Sequence, residues 1–391
     1  MRKVYMDNGA GMPLDAKVFE SMKPYYFEDY GNPSSSHSSG NKAKEALAEA
    51  REKVAKLVGA EKPQEMVFTS GGTESNNLAL KGAAFRNLKK GNHIITTSVE
   101  HISIVNICKY LQRQNYEITY IPVDKQGLVD LKKLESAITE KTILISAIYA
   151  NGEIGTIQPI KEIGKLAQEH NLIFHVDAVA AVGKVPIDVK EEKIDLLSLS
   201  SNDMYGPKGV GALYIKKGTK IQPIIQGGGQ ENGLRSGTEN IPGIVGMGKA
   251  AELALKNMAS ESKRLTQIRD KLIGNVLEKI QYSFLNGHPT KRLPNNANLR
   301  FSYIEGESLI LGLDMYGIQV SSGSACTSKT LEPSHALLAI GLAHEEAHGS
   351  LVFTLGKQNS EEDVDYVTEI LPDVVKRLRA LSPLTPKELL R

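Results

Sequence analysis

Between about residue 60 and residue 220 the chain alternates short runs of β-branched residues with longer stretches of helical periodicity, and this alternation narrows the possible folds more than any other feature. Strands separated in this way lie parallel in one sheet, with helices covering both faces. The predicted strands are EMVFT (65–69), HIITT (93–97), ITYIPV (118–123), ILISAIY (143–149), LIFHVD (172–177), DLLSLS (195–200) and GALYIK (211–216). Between two of them, IKEIGKLAQEH (160–170) sets Ile160, Ile163 and Leu166 on one face at helical spacing with its charges opposite, as a helix covering a sheet requires.

Residues 242–282 carry a helical pattern with no strand signal, and the Pro/Asn-rich segment at 287–296 marks a boundary. Beyond it strands (ANLRFSYI, SLVFTL) mix with helices. A last helix is expected at about 360–380, with Ser360 as N-cap and Glu361, Glu362 and Asp363 in the first turn against the positive end of the helix dipole.

A chain of 391 residues, 41% hydrophobic and 24% charged, buries a sizeable core and suggests two or three domains. Its net charge of +2 comes without a long basic run, so nucleic acid is not an expected partner. The opening MRKVYMDNGAGMPLD turns polar before an apolar leader develops, and no apolar stretch nears the roughly 20 residues that cross a bilayer. The expectation is a cytoplasmic protein. Its two cysteines, Cys108 and Cys326, lie far apart in sequence, which argues against a disulfide framework.

TSGGTESNN (69–77) is a Gly-rich turn that leaves a strand and opens a helix, where backbone N–H groups, the helix dipole and the Thr73 hydroxyl can converge on an anion. It lacks the spacings of a dinucleotide or P-loop site, and a plain tight turn would look the same. Asp177 in FHVDAVAAVGK falls at the carboxyl end of a strand, where ligands bind in open α/β sheets. There a carboxylate can hold a protonated pyridine nitrogen, or simply cap a helix. His101, in SVEHISI, follows another strand and can stack on a flat ring or serve structure alone.

The order GNPSSSH (31–37), TSGGTESNN, SVEH, NGEIGTIQ (151–158), HVDA, SLSSNDMYGPKGVGALY (198–214), GGGQENGLRSGTEN (227–240) and SSGSACTS (321–328) resembles that of cysteine desulfurases from end to end. That family belongs to the class V aminotransferase group, dependent on pyridoxal phosphate (PLP) and built on the fold type I α/β architecture. The resemblance implies a homodimer whose large domain has a mostly parallel seven-stranded sheet, followed by a smaller α+β C-terminal domain. The expected parts are an N-terminal segment at 1–15 packing with the small domain, a PLP-binding domain at 16–255 and a small domain at 256–391 carrying the Cys326 loop. It further implies that Gly72, Thr73 and Ser200 hold the cofactor phosphate, that Thr238 reaches over from the partner subunit, that His101 stacks on the ring and that Asp177 pairs with its nitrogen. Cys326 matches the nucleophile that takes sulfur from L-cysteine as a persulfide; taken alone, it would read as a buried apolar thiol.

The chain departs from the family where the cofactor and substrate would sit. The family's Schiff-base lysine follows a histidine just before YGPKG, and here the stretch reads Ser200-Ser201-Asn202-Asp203. A carboxyl cannot condense with an aldehyde or shuttle the substrate proton as an amine does. Lys208 matches a lysine the family carries in addition to the Schiff-base one. Val352 stands where the family has an arginine that grips the amino-acid carboxylate, Gly152 replaces an asparagine and Ala180 a glutamine. Asn232 interrupts the usual ERG, and DNGAGMP replaces DNAATTP. The scaffold motifs and the Cys326 loop stay.

This pattern points to a protein of iron–sulfur cluster assembly that binds PLP without a covalent link and docks a cluster scaffold protein. In it, Cys326 serves as sulfur carrier or iron–sulfur ligand. The alternative is an active desulfurase using an unusual base. A remote third reading is a zinc hydrolase through His344 and His348, whose HExxH spacing sets two ligands on one helical face but shows no third ligand nearby.

Overall fold

The computed structural model describes residues 2–322 and 333–390. The chain enters through β1 (Val4–Tyr5) and then builds β2 (Met66–Thr69), β3 (His93–Thr97), β4 (Glu117–Ile121), β5 (Thr142–Ile148), β6 (Ile173–Asp177), β7 (Leu196–Ser200) and β8 (Gly211–Ile215). The seven strands from β2 onward form one sheet in the order β2-β8-β7-β6-β5-β3-β4. These are the seven strands that the β-branched runs predict.

Every residue of β3 and β5 is buried, as strands covered on both faces must be, whereas β4 at the edge is half exposed. Neighbours from β4 to β7 run parallel, but β8 is antiparallel to both β7 and β2. The reversal follows from chain length. Residues 201–210 join β7 to β8, fewer than the roughly dozen residues that a parallel crossover needs. That short connection carries Asp203 at the end of the sheet.

Side chains alternate across the sheet with period two. Phe174, Val176, Leu197 and Leu199 face one core, together with Val54 of the helix Ser38–Leu57 and with Met247 and Ala251 of the long helix Ile241–Lys279. Ile94, Leu144, Leu196 and Leu213 face the other, against Leu78 of the helix Gly72–Asn87 and Ile104, Ile107 and Leu111 of the helix Ile102–Gln112. His175 and Asp177 therefore point to this second face, where both helices begin.

The long helix changes core along its length. Beyond Ala251 it buries Leu265, Leu272 and Val276 against Leu299, Phe353, Val367 and Leu371. Here β9 (Ser283–Asn286), β10 (Asn296–Phe301) and β12 (Ser350–Thr354) form an antiparallel sheet in the order β12-β10-β9, and β11 (Ile318–Gln319) pairs in parallel with β1. Val4 and Met6 join this core, so the start of the chain is fastened to its C-terminal third. The final helix, Glu361–Leu381, opens on the expected cap, with Ser360 N–H donating to Asp363 Oδ2 at 3.2 Å. No described helix is long and apolar enough to cross a membrane.

Candidate functional site

Motifs that lie far apart in sequence converge at the carboxyl ends of β2, β3, β6 and β7. After β2, Gly71 adopts φ +151° and the helix Gly72–Asn87 begins without a side-chain cap, so its first N–H groups are free for an anion. A Cβ on Gly72 would come within 2.5 Å of Val179 Cγ2, whereas nothing lies within 4 Å of the same position on Gly71. The loop is pressed against the turn after β6 and open on its other side. Thr69 and Ser75 hydroxyls, 2.8 Å apart, brace it, and Thr73 is exposed.

Asp177 is 2% exposed at the end of β6, in register with Ile148 and Ser198. Its carboxylate accepts from Asn76 Nδ2 at 2.7 Å and from Val179 N–H at 3.0 Å, which combines the expected strand-end position with a local capping role. The same Asn76 amide donates to Ser103 Oγ at 3.0 Å, and that hydroxyl lies 2.8 Å from His101 Nδ1. Asp177, Asn76, Ser103 and His101 thus form one polar chain that orients the two groups expected at a ring. His101 itself is exposed at the N-cap of the helix Ile102–Gln112.

Behind this chain Glu100 is fully buried, accepting from the Thr97 hydroxyl at 2.7 Å and the Ile148 N–H at 2.8 Å. Burial pushes its carboxyl up to about 8, and the charge of Asp177 adds to the push. In the sheet itself, His175 sits between the hydroxyls of Ser146 and Ser198, and burial drives its imidazole down to about 3, so it is a neutral strut.

Ser200 closes β7, and the chain then makes a single 3₁₀ turn, Asn202–Met204, before Tyr205 at φ +62°. Gly206 is required here, because a Cβ would collide with Ser201 Oγ. Burial raises the pKa of Asp203; hydrogen bonds from the Ser200 and Asn202 side chains and the charge of Lys184 oppose this, and the charge of Asp177 reinforces it. Asp203 thus lies on the short turn that follows β7, between the opposing influences of Lys184 and Asp177.

Lys184, which the sequence reading passed over, is the amine beside this turn. Its Nζ donates 3.0 Å hydrogen bonds to the carbonyls of Ala180 and Asp203, and burial lowers its pKa against the pull of Asp203. Lys208 donates to the Met12 carbonyl at 3.2 Å. Both amines are engaged by main chain.

The two positions where the resemblance expects amides are neighbours: a Cβ on Gly152 would sit 3.5 Å from Ala180 Cβ, an ordinary contact. Asn151 cannot substitute, since its side chain is used by the Val99 carbonyl and the N–H groups of Glu153 and Ile154. Val352 is buried on β12, opposite Asn298 and bridged to Ser321. Asn232 adopts φ +55°, a left-handed conformation that asparagine tolerates, while Glu231 beside it is held by both guanidinium nitrogens of Arg51 at 2.6 and 2.7 Å. Thr238 is exposed on the loop before the long helix.

Cys326 lies outside the described residues, but both flanks of its segment are placed. Ser321 pairs with Val352 main chain and hydrogen-bonds the Asp7 carboxyl, while Ser334 Oγ donates to Glu153 at 2.5 Å and His335 Nε2 lies 2.8 Å from the Glu100 carbonyl. Glu153 is buried, and that burial lifts its carboxyl to about 7. Cys108 is a buried free thiol whose pKa burial pushes up to about 12, unsuited to nucleophilic work. His344 and His348 bound a five-residue helix that stops at Gly349, and among the described residues no three metal-ligating side chains cluster.

The residues suit a PLP-class cofactor. There is an uncapped helix start for a phosphate, an oriented carboxylate for a ring nitrogen, and the orphaned Asn76 Oδ1 beside them. They offer no free lysine at the turn.

Comparison with known proteins agrees with the architecture. The aminotransferase class-V family model matches residues 4–367. The chain is 57% identical over 380 residues, covering 97% of it and 99% of the relative, to cysteine desulfurase IscS 1 of Archaeoglobus fulgidus. It is 55% identical over 387 residues to cysteine desulfurase IscS of Methanosarcina thermophila, covering 99% of this chain and 95% of that one. Among solved structures, a NifS-like protein superposes with a TM-score of 0.90 at 39% identity, covering 96% of this chain and all of the other. SspA in complex with cysteine superposes with a TM-score of 0.81 at 37% identity, covering 90% and 99%. With the sheet order, the Gly72 loop and the Asp177 strand end all in place, the chain belongs to the cysteine desulfurase IscS family of class V aminotransferases.

Proposed function

We propose that this chain is a desulfurase-fold protein of iron–sulfur cluster assembly. In this reading it binds PLP without a covalent link, works as a cytoplasmic homodimer and presents Cys326 to a cluster scaffold protein as sulfur carrier or iron–sulfur ligand. The family is PLP-dependent. What carries the reading is Asp203, whose carboxyl stands beside Ser200 where the resemblance expects an amine, while Lys184 and Lys208 are both tied to carbonyls.

Bound PLP supplies an electron-poor ring that stabilises negative charge next to it. Gly72, Thr73 and Ser200 would hold its phosphate, His101 would cover the ring and Asp177, kept in place by Asn76, would hold the ring nitrogen. Asp203 offers no amine to condense with an aldehyde and, with the charge of Asp177 acting on it, brings a second carboxylate toward an anionic substrate. Val352 offers the substrate carboxylate no hydrogen bond, a loss of about 2–3 kcal/mol or more of binding relative to a guanidinium. Ordinary turnover of L-cysteine is therefore weak or absent.

The names of the relatives favour a second reading, in which this chain converts L-cysteine to L-alanine and leaves a persulfide on Cys326 with another group moving the proton. Purified protein incubated with PLP and L-cysteine separates the two. The carrier reading expects sulfide release near background and, in Asp203→Lys, a new Schiff-base absorbance band; release at the rate of an ordinary desulfurase by the native chain overturns it.

A further inference from the structure

Resting on the PLP-binding reading above and deepening it, we infer that Arg235 is a positioning residue for the cofactor phosphate and acts through Glu74, cancelling a carboxylate charge at the helix start that would receive the phosphate. Glu74 lies in the first turn of the helix Gly72–Asn87. Its Oε2 accepts from the Ser70 N–H at 2.8 Å, which ties the residue before the Gly71–Gly72 turn to the helix after it. That brace has an electrostatic drawback. The carboxylate, 13% exposed, sits at the positive end of the helix dipole, the place an incoming phosphate needs. Uncompensated, two anions there would repel each other.

Arg235 meets that charge from another part of the chain. Its Nε donates to Glu74 Oε1 at 2.9 Å, across 161 residues of sequence. Burial raises the pKa of Glu74, but the hydrogen bonds from Arg235 and Ser70 outweigh it, so the carboxyl stays below its ordinary range and is ionised at neutral pH. The arginine is presented by a braced loop. Gly237 N–H donates to Gln230 Oε1 at 2.9 Å and Gly229 N–H to Ser236 Oγ at 3.3 Å, which closes the loop on itself. Glu231 of the same loop accepts from the Phe68 N–H of β2 at 2.8 Å. The loop therefore grips both the strand before the Gly71–Gly72 turn and the helix after it, and its guanidinium is fixed where the charge of Glu74 has to be offset. A neutral side chain at 235 would leave the Ser70 brace standing but give the helix start an unpaired negative neighbour.

The test uses the full-length protein, freed of bound cofactor, in amine-free buffer. PLP and pyridoxal, which lacks only the phosphate, are titrated separately by calorimetry into the native chain, Arg235→Gln, Arg235→Lys and Arg235→Gln combined with Glu74→Gln. Arg235→Gln should weaken PLP about tenfold and leave pyridoxal within about twofold, while Arg235→Lys, which keeps the charge, should retain most of the PLP affinity. The double variant should bind PLP within about threefold of the native chain, because a glutamine at 74 still accepts from Ser70 but carries no charge. Should Arg235→Gln fail to fold, the double variant decides alone. Equal losses for both ligands, no loss in Arg235→Gln, or a double variant about tenfold weaker for PLP than the native chain overturns the inference. The two failures are distinguishable: PLP bound equally by the native chain and Arg235→Gln leaves the cofactor reading standing, whereas a native chain that binds no PLP removes both.

Discussion

Replacing Asn76 with alanine tests whether the polar chain from Asp177 to His101 organises the site. The Asn76 side chain is 1% exposed and donates from one nitrogen to Asp177 Oδ2 at 2.7 Å and Ser103 Oγ at 3.0 Å. Hydrogen bonds to charged groups contribute about 1.5–3 kcal/mol and neutral ones about 1 kcal/mol. Asn76→Ala leaves a buried carboxylate with only the Val179 N–H, so the expected loss is about 3 kcal/mol of unfolding free energy. A urea melt followed by circular dichroism measures this. The freed carboxylate also loses its aim at a ring nitrogen, so PLP affinity should fall about tenfold, the equivalent of roughly 1.4 kcal/mol. In a double-mutant cycle, Asn76→Ala and Ser103→Ala together should cost less than the sum of the two singles, because the two side chains share one hydrogen bond while the Ser103–His101 contact is lost in both Ser103 variants. A stability change under about 0.5 kcal/mol with unchanged PLP affinity would refute the orienting role.

Arg51→Met should destabilise the protein by about 3–5 kcal/mol in a denaturant melt, because Glu231, 3% exposed at its side chain, would lose both guanidinium bonds and keep its charge. Gly72→Ala drives a methyl group into Val179 and should both lower Tm and weaken PLP binding measured by absorbance titration. Glu100 has a folded pKa near 8, above its unfolded value, so its contribution is fully present below about pH 4.5 and fades as pH rises through about 8. Comparing unfolding free energy across that window, Glu100→Gln should lose less stability with rising pH than the native chain, and parallel curves would contradict the assignment.

Much of the fold was legible because it is written locally. The β-branched runs mark all seven strands of the main sheet, and Asp177 is recognisable from its place at a strand end. What was hidden depends on which elements meet. Asn76 reaches Asp177 across 101 residues of sequence and Ser103 across 27, contacts that exist only once the helix after β2 settles on the sheet. Lys184 escaped notice because sequence pattern drew attention to Lys208, and only the packed turn brings its amine to the Asp203 carbonyl. The adjacency of Gly152 and Ala180 was equally unreadable, although each residue was noted alone: they belong to separate loops that meet at the site. The reversed direction of β8, by contrast, could have been deduced from the short connection after β7.

The central claim is that Asp203 leaves this site unable to tether its cofactor. Incubating the purified native chain with PLP, reducing with borohydride and mapping its peptides by mass spectrometry tests that claim directly. The expected result is no PLP-derived mass on any lysine, Lys184 and Lys208 included. A stoichiometric PLP-derived mass on either, or on any other lysine, would contradict it and make this chain a covalent PLP enzyme with a relocated amine.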